Sequence, residues 1–137
     1  MPPVTNAQAR GIDEENVRSD IEDILGNIPP QSRTTACGDW NARVGVMHPK
    51  FGEADRNKMS EDQIVNARAT WVVELCEEKR WFILNGLQPG PPARYTYEKG
   101  LKKSCIDLVL ATDPTRRVEH DPSTLQFSDH VLVKTNI

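Results

Sequence analysis

The run Thr34-Thr35-Ala36-Cys37-Gly38-Asp39-Trp40-Asn41-Ala42-Arg43-Val44-Gly45 decides how this chain is read. Residues 34–37 read as a short buried strand that delivers Asp39 at its C-terminal end, where functional groups often sit. Positions i and i+2 of a strand share a face, so Asp39 and Asn41 can address one phosphate or metal ion together. Asp, Asn and Gly are also the residues of ordinary turns. The pair therefore acquires meaning only from partners elsewhere in the chain.

Upstream, Val17, Ile21, Ile24, Leu25 and Ile28 recur at spacings of three and four, with acids crowding the first turn. This pattern predicts an amphipathic helix over 13–28, capped by Asp13 and stopped by Pro29-Pro30. Downstream, residues 47–59 lack a period and read as a loop. Ser60 and Gln63 form a capping box for a helix over 60–80, with a stripe of Ile64, Ala67, Trp71, Val72, Leu75 and Cys76. The apolar run 81–84 predicts a strand ended by Asn85-Gly86, and Pro89-Gly90-Pro91-Pro92 a loop. Residues 94–97 and 104–110 read as strands joined by a turn around Lys99-Gly100. Two final strands, around 124–127 and 131–136, are expected to flank Ser128-Asp129-His130. The order of elements indicates an α/β (α+β) layer structure.

A chain of 137 residues is long enough for one core and short for two, and a hydrophobic share of 37% with a charged share of 27% suits a globular protein. Ten prolines and eight glycines imply long connections. No apolar run reaches the ~18 residues of a membrane span, and the first residues lack the basic-then-apolar pattern of a secretory signal. Cys37, Cys76 and Cys105 are an odd set without C-x-x-C spacing, each in an apolar run. Buried thiols in a reducing compartment are expected, hence an intracellular, nuclear or cytoplasmic protein. The net charge of -3 excludes global electrostatic attraction to nucleic acid. Local basic clusters remain at Arg94, Lys99, Lys102 and Lys103 and at Arg116-Arg117, where a solvated surface is the simpler reading.

Asp39, Asp107, Asp129 and His130 fall in predicted strands or at their ends. Phosphodiester hydrolysis needs a divalent metal, an activated water and a donor to the crowded phosphorus centre, and these residue types supply all three. Mg²⁺ suits carboxylate oxygens. Taken in order, Gly38–Gly45, Leu84-Asn85-Gly86, Tyr95-Thr96-Tyr97, Ser104-Cys105-Ile106-Asp107 and Ser128-Asp129-His130 resemble the endonuclease/exonuclease/phosphatase superfamily. More narrowly, they resemble the apurinic-type endonuclease domain of non-LTR (LINE-like) retrotransposons. The resemblance runs from the first helix to the C-terminus.

That resemblance implies the C-terminal half of a DNase I-like two-sheet αββα sandwich, with a mixed sheet carrying helices on one face, after a flexible segment 1–12. It implies that Asp39 orients or deprotonates the attacking water and that Asn41 contacts the scissile phosphate. Asp107 would hold His130, and His130 would donate to a phosphate oxygen. Asp129, with Asp39, would lie at the metal, Mg²⁺ or Mn²⁺. Thr96 and Ser128 would support phosphate or neighbouring carboxylates. It further implies DNA as the partner and site residues in a part of the family domain that precedes the helix at 13–28, among them the main metal-binding Glu. No motif places Glu14, Glu15 or Glu53 in that role. Weak or absent activity of this chain alone is therefore expected, as is a homodimer that covers the open sheet face. The alternative is a non-catalytic remnant used for binding or dimerisation.

Overall fold

β-Propensity at Thr35 and the small side chains of Ala36 and Gly38 let the chain run extended beside a more apolar strand. The computed structural model, which describes residues 19–29, 32–51 and 57–135, places β1 at Thr35–Asp39. Two compact units divide the chain, residues 1–32 and 33–137. In the first, residues 19–26 are helical (α1). The amides of Asn27 and Ile28 return to the carbonyls of Ile24 and Leu25 at 3.2 Å, closing the helix before Pro29. The expected start of this helix and the segment 1–12 lie outside the described residues.

The second unit contains α2 (Ala67–Lys79), β2 (Phe82–Ile83), β3 (Tyr97–Lys99), β4 (Lys102–Ser104), β5 (Asp107–Ala111), β6 (Val118–Asp121), a 3-10 turn over Pro122–Gln126 and β7 (Leu132–Thr135). A three-stranded sheet has the order β1-β5-β2, and β3-β4 and β6-β7 form two-stranded ribbons. Helix with sheet in this arrangement is an α+β fold, as the sequence indicates. Every pairing between the described strands is antiparallel, so the mixed strand directions expected of the sheet are not found there. The central strand β5 contributes Leu108, Val109, Leu110 and Ala111, all buried. Both its faces are covered. Val109 and Ala111 pack with Leu84, Leu87 and Val118, and with the partly buried Phe82 and Val133.

Several boundaries differ from the periodicity reading. The helix expected to begin at Ser60 starts at Ala67, capped by Asn66, whose side chain accepts from the Ala69 amide. The preceding residues are taken by long-range pairing: Ser60 bridges Ala93 and Val65 bridges Val44. Tertiary partners outweigh a local capping box there, and Ile64, expected in the buried stripe, is 55% exposed. The strand expected around 124–127 is instead the 3-10 turn, because Asp121 caps it and Pro122 occupies its first position. Its place in the ribbon goes to β6. Cys76 and Cys105 are buried as expected, whereas Cys37 is exposed on the outer strand β1. At Gly86, φ is +76° and a Cβ would collide with the Met59 carbonyl, which explains why Asn85-Gly86 ends β2 so sharply.

Lys58 is an unusual member of the core. Only 7% of its surface is exposed, and its ammonium has the Gly45 carbonyl at 3.4 Å. Burial pulls its pKa down to about 8, against ~10.4 in an unfolded chain. Between those values the unfolded state binds more protons, so stability rises with pH across that window and the penalty is fully present below it. Lys58→Met, which keeps the stem and removes the charge, is expected to stabilise the fold at pH 7 by roughly 1–3 kcal/mol. Urea unfolding should show this advantage shrinking as the pH approaches ~10.

Candidate active site

The β1–β5 register sets Asp39 directly opposite Asp107. Facing cross-strand carboxylates repel, so this pairing needs a cation between or beside them. One is at hand: His130 places Nδ1 2.8 Å from Asp107 Oδ2 and Nε2 4.0 Å from Asp39 Oδ2. Among the described residues, these three offer ligand atoms that all lie within 4.8 Å of one another.

Each member is held by its own local structure. Trp40 turns inward: its amide donates to the Ile106 carbonyl at 2.9 Å, and its indole N–H to the Leu108 carbonyl at 3.3 Å. Its ring lies 6.3 Å from that of Trp71. With Trp40 buried, Asp39 and Asn41 are left exposed on either side of it. The strand ends at Asp39, so strand alternation does not place Asn41. A turn places it instead, in which the Asn41 amide donates to Asp39 Oδ1 at 2.9 Å and Asn41 itself takes φ 51°. Asn is one of the few side chains that tolerate this left-handed conformation.

His130 is fixed from both sides. The Glu98 amide donates to the Asp129 carbonyl and the Val131 amide to the Thr96 carbonyl, both at 2.8 Å, so β3 runs alongside the Ser128–Val131 segment. Ser128 Oγ accepts from the His130 amide at 3.1 Å, and Tyr97 meets the imidazole edge-on at 5.2 Å. The hydrogen bond to Asp107 raises the His130 pKa, burial opposes it, and the charges of Asp107, Asp39 and Asp129 add to the rise. The imidazolium is thereby favoured.

Two expected residues stand elsewhere. Thr96 is fully buried, and its hydroxyl accepts from the Ile106 and Asp107 amides, both at 3.0 Å. It fixes the entry to β5 and has no surface to offer a phosphate. Asp129 is exposed but does not join the three-residue cluster; Asp107 takes that place beside Asp39.

Other supports carry little sequence signal. Asn85, fully buried, donates to the Asp107 carbonyl at 3.1 Å and accepts from the Val109 amide at 2.8 Å. Asp62, also buried, pairs with Arg43 through contacts of 2.7 and 2.9 Å and accepts from the Cys105 amide at 2.9 Å. Burial pushes its pKa up, but the Arg43 hydrogen bonds and the amides of Cys105 and Ile64 more than offset this and hold it low. The segment that leaves β1 and the segment that leads into β5 are thus tied through one carboxylate. An apolar cleft of about 660 Å³ adjoins the cluster, lined by Cys37, Val109, Phe127, Val131 and Val133.

A family model described as endonuclease-reverse transcriptase matches residues 2–134. The chain belongs to that family. It is an endonuclease/exonuclease/phosphatase-type, retrotransposon-like domain. No curated protein and no solved structure gives a significant match. The family is generally dependent on divalent metal. The donor set of this endonuclease-type domain fits such an ion through the carboxylate oxygens of Asp39 and Asp107, which suit a hard divalent cation.

His130 supplies a test of the cluster that needs no substrate. Its NMR titration is expected to give a pKa above 6.5, falling back in Asp107→Asn. The sign follows from linkage: a raised folded pKa contributes stability that is fully present below the unfolded value and is lost as pH rises through the folded one. Melting curves should accordingly separate wild type from Asp107→Asn most at acidic pH. A His130 titration unchanged by the substitution would contradict the pairing.

Proposed function

We propose that this domain hydrolyses phosphodiester bonds of DNA at the cluster of Asp39, Asp107 and His130, weakly when the chain acts alone. The observation that carries the reading is the face-to-face pairing of Asp39 with Asp107 under His130, in a chain of the endonuclease-reverse transcriptase family. Asp39 and Asp107 would hold Mg²⁺ or Mn²⁺, which when bound neutralises phosphate charge and lowers the pKa of water.

The chain's own residues do the rest. Asp39 has one carboxylate oxygen engaged by the Asn41 amide, which leaves the other to orient or deprotonate the attacking water. The Asn41 carboxamide contacts the scissile phosphate. His130, kept protonated by Asp107, donates from Nε2 to a phosphate oxygen as charge builds there. Asp107 does not leave its partner during the reaction; it fixes the ring orientation and stabilises the imidazolium. Ser128 steadies the loop through the His130 amide, and the exposed Asp129 adds negative potential beside the cation. In this reading the protein works inside the cell, in the nucleus or cytoplasm.

The test is nicking of supercoiled plasmid and of abasic-site duplex in Mg²⁺ or Mn²⁺. Losing the base or the phosphate donor costs on the order of 10²–10³-fold, so Asp39→Ala and His130→Ala should each fall by about that much. Chelation by EDTA should abolish cutting. DNA binding without metal-dependent cutting would instead establish the non-catalytic reading, and cutting that survives both substitutions would remove the site assignment.

A further inference from the structure

Asn66 does more than cap a helix. Its Oδ1 accepts from the Ala69 amide at 3.2 Å, the ordinary capping bond, and from the Arg43 amide at 3.0 Å. Its own amide donates to the Arg43 carbonyl at 3.0 Å. Its Nδ2 donates to the Asn41 carbonyl at 3.1 Å. One side chain thus serves the first turn of α2 and both ends of the Asn41–Arg43 segment.

This arrangement bears on a residue under constraint. Asn41 holds φ 51°, a conformation that Asn tolerates but that competes with the right-handed and extended ones unless its neighbours hold it. Its amide is taken by Asp39 Oδ1 and its carbonyl by Asn66 Nδ2. Both peptide groups of Asn41 are therefore fixed, one by the site and one by the helix. Burial of Ala69, Trp71 and Val72 anchors the helix itself in the core. The left-handed turn is held from a rigid element.

We infer that Asn66 is the positioning residue for Asn41: it transmits the rigidity of α2 to the carboxamide that meets the phosphate. The inference rests on the proposed phosphodiesterase reading for its consequence in rate, but not for its consequence in conformation. A cap alone asks only for an acceptor, which Ser, Thr or Asp supply equally well. The bond to the Asn41 carbonyl asks in addition for a donor at the same place, and Asn carries both.

That difference separates the positioning role from the structural one. Asn66→Asp keeps the acceptor for Ala69 and Arg43 and removes the donor to Asn41; Asn66→Ser keeps the cap alone. Both variants are expected to melt within a few degrees of wild type, since the cap is retained. The Asn41 ¹³Cα and ¹³Cβ shifts, which report φ and ψ, should leave the left-handed range in both. In plasmid nicking with Mg²⁺, kcat should fall roughly ten- to a hundredfold while KM stays within about twofold. Asn41 shifts unchanged in a folded Asn66→Asp domain would overturn the inference, as would a kcat loss that only follows a lost folded fraction. A wild-type chain that does not cut would count against the proposed function alone, because the shift measurement still decides the role of Asn66.

Discussion

The pairing register of β1 with β5 is the constraint on which the site and much of the core depend. Asp39 opposite Asp107 fixes Cys37 opposite Val109 and Ala36 opposite Leu110. Because strand side chains alternate faces, a slip of one residue would exchange the two sets. Trp40 would lose the carbonyls of Ile106 and Leu108, and the acids would be parted from His130. Register here is therefore specified twice. Apolar burial along Leu108–Ala111 specifies it from the core, and the imidazole between two carboxylates specifies it from the surface. The second device works because the repulsion of facing acids becomes an attraction once a cation sits against them.

Legibility in the sequence followed the range of the interactions responsible. Asp39 at the end of a strand, the β3–β4 turn at Gly100 and the core character of Trp71, Val72 and Leu75 are local matters of propensity and period, and they read directly. The start of α2 did not, since residues 60–65 are claimed by Ala93, Val44 and Arg43, all remote in the chain. The 3-10 turn at 122–126 had a local signal in Asp121-Pro122 that a purely apolar reading of Leu125 and Phe127 passes over. Cys37 departs from the expected burial for a different reason. An apolar run predicts burial only if both neighbours of the strand are present, and β1 lies at the edge of the described sheet.

The site divides along the same line. Residues that touch one another through motifs, Asp39 with Asn41 and Asp129 with His130, are recognisable as types. Which acid completes the cluster is a question of register, and it selects Asp107 over Asp129. The supporting residues Asp62, Asn66, Asn85 and Thr96 are all polar groups that replace or extend backbone hydrogen bonding at places where strands stop. Each joins segments distant in sequence, so spacing alone reveals none of them, although Asn85 and Thr96 fall in motifs that carry the family resemblance. Asp62, Asn85 and Thr96 are buried and so costly to leave unpaired, which in turn makes the geometry they impose hard to relax.

Trp40 lies between two residues that face solvent, and its own side chain belongs to the core. Alternate positions of one tripeptide thus answer to different demands: Asp39 and Asn41 face solvent, and the middle residue packs against Trp71. In the proposed reading, a substitution at Trp40 therefore reaches the chemistry through the backbone that carries the two flanking residues. Lineages that abandon the reaction while keeping the fold should be free to change the outer two positions and still retain the tryptophan. Such sequences would preserve the shape of the motif after its purpose had lapsed.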